Sequence, residues 1–134
     1  MISLLLDTNL LIGRPEFSLL NVPLEEIESY TSALCYAELM DGEFSKNPVT
    51  AADTILQLAE TRELVGAGLP FGEAELPAYR AICAATVAAG RSLTRARRMD
   101  MMIAATALAN GLTLATRNAD DFAAVKDIVP VVAL

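Results

Sequence analysis

Three acids in this chain stand where acids are rarely tolerated. Asp100 lies in Met99-Asp100-Met101-Met102-Ile103-Ala104-Ala105-Thr106-Ala107-Leu108-Ala109, a helix-forming stretch with almost no polar face. A helix apolar all round is a buried one. A lone carboxylate inside it must be compensated or take up a proton. Asp7 ends the apolar run Leu4-Leu5-Leu6, and Glu38 interrupts Ala33-Leu34-Cys35-Tyr36-Ala37 and Leu39-Met40. Three acids in three separate apolar elements point to one buried acidic cluster that holds a cation. The chain has no histidine and no paired cysteine motif, so the donors are hard oxygens and the expected ion is Mg2+ or Mn2+, not zinc. Without imidazole, a histidine-dependent hydrolase or an acid–base ribonuclease is excluded. No glycine-rich phosphate loop is present either. Metal-assisted chemistry on a phosphate ester remains.

The elements that carry these acids follow from pattern and punctuation. Ile2 to Leu6 reads as a buried strand, Leu10 to Gly13 as a short helix, and Pro15 to Asn21 as another helical turn. Glu28 to Thr31 reads as a second strand leading to Ser32, the N-cap of a helix from Ala33 to about Phe44. Thr50 to Val65 and Glu73 to Gly90 read as long helices, suited to a protruding hairpin. The helix bearing Asp100 stops at Asn110-Gly111. Leu112 to Thr116 and Ile128 to Leu134 read as strands, with a loop at Arg117 to Asp121 and a short turn at Phe122 to Val125. Short apolar strands alternating with helices predict an α/β fold: one domain, with a central, mostly parallel sheet of about four to five short strands flanked by helices. Ligands of such a sheet bind beyond the carboxyl ends of its strands. Asp7, Asp120 and Asp121 fall at that edge, and Glu38 and Asp100 near the starts of helices that lead from it.

The chain of 134 residues fits one domain, and its 54% hydrophobic content argues against disorder. The longest uncharged stretch, Met101 to Thr116, is broken by Asn110-Gly111 and falls short of the roughly 20 apolar residues of a membrane span. The start lacks a basic region and reads as a strand, not a signal peptide. Cys35 and Cys83 read as structural thiols of a reducing cytosol, with a disulfide left open. Net charge is −7, which alone argues against coating nucleic acid. Five of the ten basic residues, however, are Arg91, Arg95, Arg97, Arg98 and Arg117, near Asp100 in sequence. A basic patch beside an acidic site suits a polyanion, although a solvated helix start would look the same. Each acid also has a plain alternative. Asp7 suits an N-cap, Glu38 a helix surface, Asp100 a pair with Arg97 or another arginine, and Asp121 a solvated loop. Their joint occurrence favours the cluster.

Four motifs in series carry a resemblance. Asp7-Thr8-Asn9 follows the first strand and Tyr36-Ala37-Glu38-Leu39 lies in an early helix. Asp100-Met101-Met102-Ile103-Ala104-Ala105-Thr106-Ala107 and Thr116-Arg117-Asn118-Ala119-Asp120-Asp121-Phe122 complete the set. Together they resemble a PIN-domain ribonuclease over nearly the whole chain, and more narrowly a VapC-type toxin of a toxin–antitoxin pair. The resemblance implies a single PIN domain spanning residues 1–134 and metal-dependent endoribonuclease activity. It places Asp7, Glu38 and Asp100 as the metal-site acids, with Asp121 as the fourth and Asp120 in reserve, since Asn118 is not acidic. Met101-Met102 departs from the Ala and aromatic residues usual after the third acid. Thr8 and Thr116 are expected to hydrogen-bond ligands or their waters, and Arg97, Arg98, Arg117 and Asn118 to meet the RNA. The resemblance further implies a VapB-like antitoxin, a homodimer and a cytoplasmic location. Leu11, Ile12 and the Ala33–Met40 helix are expected to form an apolar wall for the antitoxin tail. The alternatives are a catalytically silent PIN-like module binding RNA or protein, and a receiver- or phosphatase-like domain. The latter wants an Asp-x-Asp after the first strand, where position 9 is Asn, or a late lysine that is not in place.

Overall fold

The computed structural model describes every residue from Met1 to Leu134. Strand β1 (Ile2–Leu6) buries Leu4, Leu5 and Leu6 in succession. Neighbouring residues on a strand point to opposite faces, so the sheet is covered on both sides at β1. With β2 (Ile27–Thr31), β3 (Thr113–Thr116) and β4 (Val131–Ala133) it forms a four-stranded sheet of order β2-β1-β3-β4. All three pairings are parallel, with Leu6 beside Thr31 and Ala115, and Thr116 beside Ala133. Parallel neighbours require crossovers. The chain supplies them with α1 (Thr8–Ile12), α2 (Ala33–Met40), α3 (Pro48–Val65), α4 (Leu76–Ala88) and α5 (Arg95–Ala109). The core centres on β1, β3 and the apolar side of α5, where Ile103, Ala104, Ala105 and Ala107 are fully buried. No helix is long and apolar enough to cross a membrane.

Local chemistry sets the helix ends. Ser32 caps α2 by accepting from the Leu34 N–H at 3.0 Å, and Asn47 caps α3 ahead of Pro48. Thr94 caps α5. Gly111, at φ 66°, takes the left-handed turn that lets the Leu112 N–H return to the Ala107 carbonyl at 2.9 Å and closes α5.

Several boundaries differ from the sequence expectation. α2 stops at Met40, and Asp41–Phe44 continues as a 3-10 turn. The helix expected from Glu73 starts with a 3-10 turn, Glu73–Glu75, in which the Glu75 carboxylate accepts from the Gly72 N–H at 3.1 Å. The last strand begins at Val131, because the Ile128 and Val129 N–H groups turn back to the Val125 carbonyl. The expected α3–α4 hairpin is absent. α3 packs on α1, α2 and β2, whereas α4 packs on α5. The link between them is pinned to the end of β2: the Leu69 N–H donates to the Thr31 carbonyl at 2.8 Å, and the Ala33 N–H donates to the Leu69 carbonyl at 2.9 Å. Gly68 makes this approach possible, since a Cβ there would stand 2.5 Å from the Ala33 nitrogen.

Candidate functional site

The strand order sends the chain to one side of β1 for β2 and to the other for β3. A crevice opens beyond the carboxyl ends of strands at such a switch point. Asp7 is the first residue after β1, and Thr116 the last of β3. Asp7 is buried and serves as the N-cap of α1, its Oδ1 accepting from the Thr8 N–H at 2.8 Å. Its Oδ2 accepts from the Thr116 hydroxyl at 2.8 Å. Burial pushes the Asp7 carboxyl above its ordinary range, the Thr116 and Thr8 hydrogen bonds oppose that shift, and the Asp121 charge adds to it.

Glu38 joins from α2. The Thr8 hydroxyl donates to its Oε1 at 2.6 Å, so α1 places Asp7 and Glu38 on adjoining positions. Glu38 is the sixth of the eight residues of α2, not near its start as expected, and it reaches the site through α1. Asp100 occupies the second turn of α5, just before that helix submerges at Met101. It is half-buried, since the first turn of α5 is open to solvent. Burial, followed by the charges of Asp7, Glu38 and Asp121, pushes its carboxyl up to about 6. No arginine offsets this. The one ion pair in the protein joins Arg14 and Glu60, so Asp100 does not pair with Arg97.

Asp121 is exposed on the 3-10 turn Ala119–Val125, which the buried Phe122 and Val125 anchor. Its charge acts on both Asp7 and Asp100. The four carboxylates therefore share one region, although no three lie close enough, as their side chains stand, to ligate a single ion. Asp100 and Asp121 also line a cleft of about 260 Å³ with Arg91, Arg97 and Phe122.

The other expected residues are placed as follows. The Arg97 guanidinium faces this cleft but donates to the Ser92 carbonyl at 2.9 Å. Arg98 is exposed and acts on the Tyr79 hydroxyl. Arg117 folds over Gly13 and donates to the Arg14 carbonyl at 3.4 Å. Asn118 is exposed and donates its backbone N–H to the Thr116 hydroxyl at 3.2 Å.

Two participants that the sequence placed near the site had no role there assigned from it. Asn9 donates from Nδ2 to the Thr116 hydroxyl at 3.1 Å. Arg91 donates to the Asp121 and Asp120 carbonyls at 3.3 and 3.4 Å, tying their turn to the end of α4. The capping type of Asn9 was a signal for the first; Arg91 gave none beyond its charge. Both cysteines are free, and burial beneath the site pushes the Cys35 thiol up to about 11.

A second cavity, of about 620 Å³, runs beside α1. Leu10, Leu11 and Ile12 form one wall. The facing wall is α3, through Leu56 and Leu64, and not α2 as expected.

The arrangement defines a small, all-parallel α/β domain with an acidic site at its switch point. The family model of the PIN domain matches residues 4–128, and the chain belongs to the PIN domain family. Solved structures resemble it along nearly its full length. One is a member of the VapBC family of toxin–antitoxin systems, VapBC-5, from Mycobacterium tuberculosis. It has a TM-score of 0.79 and 23% identity over 100% of this chain and 98% of that one. FitAcB from Neisseria gonorrhoeae has a TM-score of 0.73 and 30% identity, covering 96% and 95% of the two chains. VapBC-1 from nontypeable Haemophilus influenzae has a TM-score of 0.72 and 26% identity, covering 99% and 98%. No curated protein matches the chain in sequence. The resemblance to a VapC-type PIN protein, drawn from four motifs, is borne out by these matches.

Proposed function

We propose that this chain is a metal-dependent endoribonuclease and the toxin of a VapBC-type pair. The observation that carries the proposal is the gathering of Asp7, Glu38, Asp100 and Asp121 at the switch point, without an ion pair to any of them. PIN domains are typically nucleases that use divalent cations, and the donor set here fits such an ion. It offers oxygen only, it carries excess negative charge, and its mutual repulsion is relieved by a cation.

Asp7, Glu38 and Asp100 would hold Mg2+ or Mn2+, with Asp121 as the fourth acid. A divalent cation bound there supplies an acidified water for attack on phosphorus and positive charge for the leaving oxygen. The chain's own groups do the rest. Thr116 and Thr8 hold the Asp7 carboxylate in one orientation, and Thr8 ties Glu38 to it. Arg97, at the cleft, and the exposed Arg98, Arg117 and Asn118 are the groups proposed to grip the RNA backbone beside the cut. Hydrolysis needs no imidazole here, which suits a chain without histidine.

Similarity to structures described as VapBC complexes supports a VapB-like antitoxin as partner. The α1–α3 groove, with Leu10, Leu11, Ile12, Leu56 and Leu64 among polar neighbours, is the proposed seat for its tail. A homodimer and a cytoplasmic location belong to the same proposal. Incubating the purified chain with a panel of RNAs, with Mg2+ or Mn2+ and then with EDTA, tests the nuclease reading. Cleavage in metal alone supports it, and RNA binding without cleavage favours a silent module. Expression of the chain alone should arrest growth, and co-expression of a small partner should relieve it. A harmless chain overturns the toxin assignment while leaving the nuclease open to test.

A further inference from the structure

Asn9 carries a signal that the acids themselves do not. Its Oδ1 accepts from the Arg117 backbone N–H at 3.1 Å. A backbone N–H only donates, so this contact fixes which end of the amide is oxygen. The NH2 end therefore faces β3, where it donates to Thr116 Oγ1 at 3.1 Å and stands 3.4 Å from Asp7 Oδ2. The Asn118 N–H also donates to Thr116 Oγ1, at 3.2 Å. A hydroxyl has two lone pairs and one proton. Both lone pairs of Thr116 are thus taken, and the proton has one destination left: Asp7 Oδ2, at 2.8 Å. Thr116 is 0% exposed, so no bulk water competes for that proton. On Asp7, Thr116 and Asn9 occupy Oδ2, and the Thr8 N–H occupies one side of Oδ1. The open lone pair is on Oδ1.

We propose that Asn9 is a positioning residue for the acid site: it aims the Thr116 hydroxyl proton at Asp7 and leaves one Asp7 oxygen open to a cation. The proposal rests on the metal-dependent reading above. It adds a named role for a residue whose side chain is engaged by Thr116, Asp7 and the Arg117 backbone. The same side chain ties the Arg117 backbone, and with it the segment leading to Asp121, to α1.

The test is a double-mutant cycle read in Mn2+ affinity by calorimetry on the full chain. Its variants are Asn9→Ala, Thr116→Val and the two combined, each checked for cooperative unfolding. Loss of a group that orients a ligand typically weakens metal binding about 10- to 100-fold, and each single variant is expected to do so. Because both act through one proton, the combined variant should bind no more weakly than the weaker single. Additive losses would assign Asn9 a structural role and overturn the proposal, as would Asn9→Ala affinity within about twofold of the unaltered chain. Asn9→Ser replaces the alanine variant if that one does not fold. In metal-free protein, the Asn9 side-chain amide protons should exchange slowly by NMR and speed up in Thr116→Val; fast exchange in the unaltered chain overturns the hydrogen-bond relay. Absence of Mn2+ binding by the unaltered chain overturns the metal-dependent reading together with this one. Native binding with an indifferent Asn9→Ala overturns this one alone.

Discussion

Replacing Asp100 by Asn should make the metal-free protein more stable while destroying its activity. The Asp100 carboxyl is pushed up to about 6 by burial and by Asp7, Glu38 and Asp121. Its folded pKa exceeds its unfolded one, so the folded state binds the proton more tightly. Stability is then fullest below the unfolded value of 3.8 and is lost as pH rises toward about 6. A shift from 3.8 to about 6 corresponds to at most about 3 kcal/mol. Asp100 is only half-buried, and solvent screening reduces that to about 1–2 kcal/mol. The burial of Asp7 acts in the same direction. Asp100→Asn removes the Asp100 charge altogether. In EDTA at about pH 8 its melting temperature should exceed that of the unaltered chain by about 3–8 °C, a gain that shrinks toward pH 4. Thermal unfolding followed by circular dichroism reads both points. Adding Mn2+ should raise the melting temperature of the unaltered chain more than that of the variant. An Asp100→Asn protein no more stable at pH 8, or equally stabilised at both pH values, would refute the idea that uncompensated carboxylates face one another here.

Alanine at Arg97 and Arg117 together should weaken RNA binding and flatten its dependence on salt, by about one power of salt concentration for each phosphate no longer held. Unchanged binding in a salt titration would return both arginines to the solvated surface. Light scattering of the free protein should report about twice the 14.3 kDa chain mass. Exposed apolar side chains outside the α1–α3 groove, Val49 and Ile55 of α3 and Leu76 and Val87 of α4, provide surface for a second copy, and a monomer over a wide concentration range would contradict the dimer. Gly68→Ala should cost about 1–3 kcal/mol in urea unfolding, because the new Cβ meets backbone rather than a movable side chain. A native urea midpoint would show that the Leu69 link shifts freely.

The acids were legible in the sequence because apolar runs rarely tolerate them, and three such intrusions in separate elements have one economical explanation. The sheet was legible for a similar reason, since Leu4-Leu5-Leu6 has no polar alternation and must be covered on both faces. What depended on long-range geometry was not. Asn9 meets Thr116 from 107 residues away, and nothing local to Asp7-Thr8-Asn9 shows that its amide crosses to β3. The course of α3 and α4 turned on Leu69 bonding to the end of β2, which a Gly-Pro-rich link does not announce. Asp120 and Asp121 are neighbours in sequence, yet only Asp121 lines the cleft with Asp100, on a 3-10 turn held partly by Arg91, distant along the chain. The arginine cluster read as one patch, yet Arg97 donates to the Ser92 carbonyl and Arg117 to the Arg14 carbonyl.

An anomalous difference map from crystals of the unaltered chain soaked in Mn2+ shows directly whether the acids at the switch point hold a cation. A peak is expected at the switch point between β1 and β3, about 2.0–2.6 Å from carboxylate oxygens of Asp7, Glu38 and Asp100. The Asp7 contact should be made through Oδ1, and the peak should vanish in Asp100→Asn. Well-ordered carboxylates with no peak among them, at Mn2+ concentrations that support RNA cleavage, would contradict a cation site there.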